Sequence, residues 1–308
     1  MSAIHRTSGD LIADRRFEWA RGLIDEGDLA AAAELLAEVV GLAPGFAAAW
    51  FALGDICERL GDKADAVAAF EKARDADPRD AHGAAVRLAR LGALPPVAMP
   101  IGYIQSLFDG YAPKFETSLT GNLNYRGPQL LRDALRRAGA PAHFANVLDL
   151  GCGTGLAGNL FRPLCGRLTG VDLSSGMLAV ARGKGVYDDL AEAEAMTYLR
   201  GTAPGSFDLV LAADVFIYFH ELMQIGAPTA RALKPGGYLV FSVETHDGDG
   251  VILRDTLRYA HAEAHARAAV AGGGLELLIC ERASARTEKG VPVPGLVVVA
   301  KNKPSCRA

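Results

Sequence analysis

Residues 147–155 read Val-Leu-Asp-Leu-Gly-Cys-Gly-Thr-Gly. A short apolar run carrying one aspartate ends in three alternating glycines, and a helical pattern follows at once. Such a segment is a buried strand that turns into a helix through a loop lacking every second Cβ. The backbone can therefore bend sharply and come close to a ligand. In an open α/β sheet, ligands sit at the end of a strand of this kind. The element commits the chain around it to parallel strands joined by helices.

The sequence from 145 onward obeys that constraint. Strands are expected at 145–150, 168–172, 191–194, 207–212, 237–243, 275–281 and 295–300. Helices fit between them at about 155–163, 175–183, 220–233 and 255–271. The alternation implies crossover units and a mostly parallel sheet. The connection 282–294 is short, so the last strand is expected to run antiparallel.

The first 94 residues differ. They are rich in Ala, Leu and Glu, and a shift of 34 brings Gly27-Asp28 onto Gly61-Asp62, Ala30 onto Ala64 and Pro44 onto Pro78. This period, with Trp50-x-x-Leu53-Gly54, Leu60-Gly61-Asp62, Ala66, Phe70, Ala73 and Asp77-Pro78, resembles tetratricopeptide repeats. The units would span about 13–46 and 47–80, with a capping helix at about 80–91. Pro95, Pro96 and Pro100 cannot continue a helix and mark a linker. Three parts follow: a helical repeat domain at 1–94, a linker with lid helices at 95–144, and an α/β core at 145–308.

Composition removes several classes of function. Residues 1–94 hold 11 Lys and Arg against 16 Asp and Glu; the remainder holds 21 against 20. Neither part has the basic excess of a nucleic-acid binder. No apolar run reaches the roughly 18 residues that span a bilayer. The start, MSAIHRTSGD, lacks a signal core. Cys57, Cys152, Cys165, Cys280 and Cys306 form no CxxC pair, which fits reduced thiols in a cytoplasmic protein. No His, Cys and carboxylate cluster has metal-ligand spacing.

The register Asp149-x-Gly151-x-Gly153-x-Gly155 resembles motif I of class I S-adenosylmethionine-dependent methyltransferases. Gly170-Val171-Asp172-Leu173-Ser174 resembles the end of that family's second strand. Residues 207–218 resemble its fourth-strand motif, and 233–240 the turn before its fifth strand. The set Gly153-x-Gly155-x-x-Gly158 also satisfies a nicotinamide-dinucleotide fingerprint. That register begins after the strand has ended and leaves Asp149 without a role.

The resemblance covers about 103–303. It implies a seven-stranded Rossmann-like sheet with the last strand antiparallel, S-adenosylmethionine as cofactor and S-adenosylhomocysteine as product. By the same resemblance Asp149, Gly151, Cys152, Gly153, Gly155 and Leu156 surround the methionine part. Asp172, Leu173 and Met177 lie at the ribose, and Glu194 and Ala195 at the adenine. Ala213, Asp214 and Tyr218 lie on the fourth-strand edge, and Tyr125 is a cover. Asp172 can instead cap the helix at 174–183, a role that Ser174 or Ser175 could fill equally well, and Glu194 belongs to an acidic stretch that also reads as a solvated face.

Methyl transfer from a sulfonium is a direct displacement. The protein aligns the partners, and a base is needed only where the nucleophile keeps its proton. Tyr111, His220, His246 and His261 are the catalytic candidates. Phe108–Phe115 resembles the lid helix of small-molecule methyltransferases, including ubiquinone- and biotin-pathway types. Arg258–His265, placed on the helix after the fifth strand, and Gly290–Leu296 resemble a bacterial subgroup in which repeats precede the domain. No [N/D]-P-P-[Y/F] or Pro-Cys follows the fourth strand, which disfavours amide, adenine and cytosine chemistry. The expected function is methylation of an oxygen or nitrogen on a small-molecule acceptor. The repeats would serve a protein partner or self-association. A protein methyltransferase whose repeats dock the substrate and a non-catalytic cofactor-binding scaffold are the alternatives.

Overall fold

A computed structural model describes residues 7–303, apart from the side chains of Thr120 and Asn122. The expectations placed on residues 1–6 and on Cys306 lie outside the described residues. The chain divides into two compact units, Met1–Leu107 and Phe108–Ala308.

The first unit is helical: α1 (Leu11–Glu26), α2 (Leu29–Leu42), α3 (Ala47–Leu60), α4 (Lys63–Ala76), α5 (Ala84–Arg90) and the first part of α6 (Ile101–Tyr111). Each Gly-Asp pair does two jobs. Gly27 and Gly61 end their helices in the left-handed conformation, with φ of 87° and 91°. The aspartate that follows is the N-cap of the next helix, and Asp28 accepts from the Ala31 N–H. Phe17, Leu36, Val39 and Ile56 fill one apolar cluster; Phe70, Ala73 and Leu88 fill a second. The proline run does not divide the units. The chain returns after it, so that Tyr103 packs where a Cβ on Gly83 would lie and Gly102 packs against the Arg79 carbonyl. The division falls inside α6.

The second unit continues with α7 (Phe115–Thr117), α8 (Gly127–Arg137), β1 (Phe144–Leu150), α9 (Leu156–Phe161), β2 (Cys165–Asp172), α10 (Ser175–Lys184), β3 (Asp189–Glu192), α11 (Ala195–Gly201), β4 (Phe207–Ala212), α12 (Met223–Ala232) and β5 (Leu233–Thr245). It ends with β6 (Val251–Leu253), β7 (Tyr259–His261), α13 (Glu263–Gly272), β8 (Glu276–Ala283), β9 (Thr287–Glu288), β10 (Val291–Pro292) and β11 (Gly295–Lys301). The main sheet runs β3-β2-β1-β4-β5-β11-β8. β1 to β5 pair in parallel, and β11 is antiparallel to both neighbours. Residues alternate between two cores. Leu148, Leu150, Val210 and Phe241 face one layer; Val147, Leu209, Leu211 and Val240 face the other. The strand order reverses beside β1, and the ends of β1, β2 and β4 gather the glycine loop and its neighbours at that switch point.

One expectation is corrected. The segment 255–271 is not one helix. Tyr259–His261 is a short strand beside the end of β5, fixed by Glu244 and Thr245 pairing with Ala260 and His261 and by the Thr245 hydroxyl donating to the His261 carbonyl at 2.7 Å. The helix begins only at Glu263, so Arg258 and His261 are loop and strand residues. No helix among the described residues is long and apolar enough to cross a membrane.

The glycines of the helical unit provide a stability test. A Cβ at Gly54 would lie 2.8 Å from the buried Phe70 ring, whereas one at Gly22 would meet nothing within 4 Å. Helix propensity favours alanine by about 1 kcal/mol at either site, and overpacking a filled core costs about 1–3 kcal/mol. Urea melts of the full-length protein should show Gly22→Ala stabilised and Gly54→Ala destabilised.

Candidate active site

The glycine loop is held by the second strand. The Asp172 carboxylate accepts from the Gly153 N–H at 2.8 Å and from the Ser174 N–H at 2.9 Å, one bond to each oxygen. The Cys152 N–H donates to the Val171 carbonyl at 3.0 Å. Gly151 stands at φ 62°, and a Cβ there would lie 2.4 Å from Val215, so the loop closes only without a side chain. Burial raises the Asp172 carboxyl above its ordinary value, against the lowering effect of those N–H donors. Cys152 is buried, and burial pushes its thiol well up, so it packs as an inert thiol. Leu156 opens α9. The buried Met177 donates its N–H to the Ser174 hydroxyl at 3.1 Å, capping α10.

Asp149 has a partner that the sequence pattern did not reveal. Its side chain is 1% exposed, and Oδ2 accepts from the Tyr187 hydroxyl at 2.7 Å. Burial raises the Asp149 carboxyl to about 7; the Tyr187 hydroxyl works downward, and Asp172 adds to the rise. Gly158, the third glycine of the competing fingerprint, has a packing role: a Cβ there would lie 2.4 Å from the Tyr187 ring. An aromatic directly before β3, opposite three glycines, was the available signal.

Glu194 lies just after the third strand and is the N-cap of α11. Its carboxylate accepts from the N–H groups of Met196 and Thr197 and from the Thr197 hydroxyl, at 2.7–2.8 Å. A carboxylate has about four acceptor positions, so the cap leaves one. Ala195 is the first residue of that helix.

The lid segment meets the loop from above. Phe115 lies 3.7 Å from where a Cβ on Gly153 would be. Phe108, Tyr111 and Phe115 pack edge to face, and Phe108 also meets Tyr218, with ring centres 5.5–6.2 Å apart. Asp109 fastens this segment to α10 by accepting from the Ser174 hydroxyl and from the Gly176 N–H at 3.0 Å; Glu116 pairs with Lys184. Tyr125 is half-buried, and its hydroxyl occupies the space that a side chain at Gly127 would need.

The β4 and β5 ends carry a charge network. Ala213 leads into Asp214, a non-glycine residue at φ 57° held by the Ser242 hydroxyl, which donates to its carboxylate at 2.7 Å. The buried Arg286 pairs with the buried Glu244, reaches Glu288 at 3.2 Å and lies 3.6 Å from Asp214. Arg254 meets Glu244 at 3.2 Å and Arg258 meets Glu288 at 2.6 Å. Burial opposes the charge of Arg258, and Tyr218, Glu244 and Glu288 outweigh it, raising the guanidinium above its ordinary value. Arg286 and Glu244 lay outside the sequence candidates because their pairing spans 42 positions of sequence.

His220, His246 and His265 all lie close enough to His261 to act on its charge, and the His261 and His265 rings stack at 5.4 Å. His220, partly exposed, sits just past β4 with Nδ1 3.3 Å from Glu221 and its ring against Tyr259. His246 lies in the loop after β5, where Nδ1 accepts from the Gly248 N–H at 3.1 Å. His261 is 0% exposed, and burial, with His265 beside it, lowers its pKa to about 3. A pKa lowered so far makes its neutral imidazole a weak base near pH 7.

Residues 148–241 match the family described as methyltransferase domain, and residues 17–81 match a tetratricopeptide repeat family. Methyltransferase-like protein 27 of Homo sapiens is 33% identical over 144 residues, 46% of this chain and 58% of that protein. A ubiquinone biosynthesis O-methyltransferase of Thiobacillus denitrificans is 32% identical over 120 residues, 37% of this chain and 50% of that one. The chain thus spans about half the length of the curated relatives it matches. Among solved structures, the [4+2]-cyclase SpnF superposes with a TM-score of 0.56 at 19% identity, covering 68% of this chain and 98% of that one. A Burkholderia thailandensis 1,6-didemethyltoxoflavin-N1-methyltransferase gives 0.51 at 19% identity, covering 68% and 92%. The two family matches place a methyltransferase domain at residues 148–241 behind tetratricopeptide repeats at residues 17–81, on a fold shared with these solved structures.

Proposed function

We propose that the protein transfers a methyl group from S-adenosylmethionine to an oxygen or nitrogen of a small-molecule acceptor. The observation that carries this reading is the pair of buried carboxylates around the glycine loop. Asp172 accepts from the backbone N–H groups of Gly153 and Ser174, with the Leu173 N–H also acting on it, and its remaining acceptor capacity suits a ribose hydroxyl. Asp149 lies beneath the loop, where it suits a cationic amino group rather than a pyrophosphate, which would call for donors at the helix start.

The cofactor supplies an electrophilic methyl group on a sulfonium when bound. The chain's own residues bind and orient. Asp172 takes the ribose, the loop 151–155 lies along the amino-acid end, and the remaining acceptor position of Glu194, with Ala195, faces the adenine. Phe108, Tyr111 and Phe115 exclude water and give the acceptor an aromatic wall. Tyr218 and Tyr125 stand on the acceptor side. For a hydroxyl acceptor His220 is the group there to take a proton. The relatives named for ubiquinone biosynthesis and toxoflavin-precursor methylation support acceptors of aromatic or heteroaromatic character.

A second reading comes from the repeats, whose acidic excess suits a basic partner or a second copy. Methyl label appearing on polypeptide in a lysate, with no small acceptor turned over, would favour a protein acceptor.

The direct test is S-adenosylhomocysteine release across a panel of phenolic, enolic and heteroaromatic acceptors; turnover of none of them with the full-length protein contradicts the small-acceptor reading. Asp172→Ala should weaken S-adenosylhomocysteine binding by about 1–3 kcal/mol, the worth of charge-assisted hydrogen bonds. His220→Gln should lower kcat for a hydroxyl acceptor about 100-fold while leaving cofactor affinity unchanged; His246→Gln should leave both unchanged.

A further inference from the structure

The hydroxyl of Tyr187 is unexplained by packing. Its ring occupies a slot cleared by three glycines: a Cβ would approach it to 3.1 Å at Gly155, 2.4 Å at Gly158 and 2.9 Å at Gly170. A phenylalanine would fill that slot equally well. The hydroxyl therefore brings a buried polar group with a desolvation cost; it donates to Asp149 at 2.7 Å, and the Gly158 backbone N–H and the Cys152 thiol meet the same oxygen. Asp149 in turn is buried at the end of β1 directly before the glycine loop, where an uncompensated carboxylate would be driven neutral.

Resting on the cofactor reading above, we propose that Tyr187 is a positioning residue: its hydroxyl fixes the Asp149 carboxylate beneath the glycine loop, so that the amino-acid end of the cofactor meets a countercharge already in place. Tyr187 reaches Asp149 from the segment between α10 and β3, so one side chain ties the first strand to the third. The groups that face Asp149 are Tyr187 from that segment, Asp172 from the end of β2, Cys165 from the start of β2, Cys152 from the loop and Tyr125 from the lid. Of these only Tyr187 donates to it, and Asp172 opposes its ionisation. The proton balance follows. With its carboxyl raised to about 7, Asp149 holds a proton in the folded protein that the unfolded chain releases near 3.8. Its contribution to the stability of the protein alone is therefore present at low pH and lost as pH rises through about 7. Binding of a cationic amino group runs the other way and strengthens as pH rises through the same range.

The test is calorimetric titration of S-adenosylhomocysteine into the full-length protein between pH 5.5 and 8.5, for wild type, Tyr187→Phe, Asp149→Asn and the double variant, with thermal melts alongside. Tyr187→Phe should bind about 5- to 30-fold more weakly at pH 7.5 and shift the midpoint of the pH dependence upward. Asp149→Asn should flatten that dependence, and Tyr187→Phe should then add little. Wild-type affinity and midpoint in Tyr187→Phe overturn the proposal, as does an equal loss in the Asp149→Asn background, which would assign the effect to packing. Should Tyr187→Phe fail to fold, Asp149→Asn alone decides: a retained wild-type pH profile overturns the proposal. Wild type that binds no S-adenosylhomocysteine at any pH overturns the cofactor reading itself, a different result from binding that the variants leave unchanged.

Discussion

The candidate site depends on one carboxylate that joins two strand ends. Asp172 closes β2, and each of its oxygens accepts a backbone N–H, from Gly153 in the loop after β1 and from Ser174 at the start of α10. The parallel pairing of Asp149 with Gly170 and of Leu150 with Val171 sets the two ends side by side. The glycines make the approach sterically allowed; the carboxylate makes it fixed. A flexible glycine loop left untied would lose conformational entropy on binding, whereas a tied loop has already done so on folding. Burial acts against ionisation of Asp172, and the same N–H donors offset it.

Around this tie the aromatic lid and the charge network divide the work. Asp109 and Glu116 hold the lid segment on α10, so the helix that begins at the Asp172 tie also carries the lid. On the other side, Arg286 and Glu244 are both buried and pair with each other, and each has further partners, Glu288 and Asp214 for the arginine and Arg254 for the glutamate. Glu288, Asp214, Arg254 and Arg258 complete the network and hold the ends of β4 and β5 in register with the loop that carries Arg286.

The parts of the fold that were legible in sequence were those governed by local rules. Gly-Asp pairs ended and restarted helices in the repeat unit, and apolar runs of five or six residues marked the central strands. The parallel pairing of β1 to β5 followed from the alternation of strands with helices. The segment 255–271 was misread because Tyr259–His261 gains its strand character from pairing with Glu244 and Thr245, a tertiary interaction with no local period. The extent of the first unit was missed for a related reason: the prolines at 95–100 do interrupt the helix, but Gly102 and Tyr103 then fit against Arg79 and Gly83. In the site, Asp149, Asp172 and the glycines were readable because strand ends announce themselves. Tyr187, Arg286 and Glu244 were not, since their partners lie 38 and 42 positions away. His261 shows the converse limit: residue type suggested a base, and only burial reveals how weak a base its imidazole is.

The central claim is that the Asp172 tie holds an adenosyl cofactor against the glycine loop. A crystal structure of the full-length protein with S-adenosylhomocysteine tests it most directly. The account expects both ribose hydroxyls on the Asp172 carboxylate, with the Gly153 N–H bond retained and the amino group beside Asp149. A ligand bound elsewhere, with Asp172 engaged only by the Gly153 and Ser174 N–H groups, would contradict it.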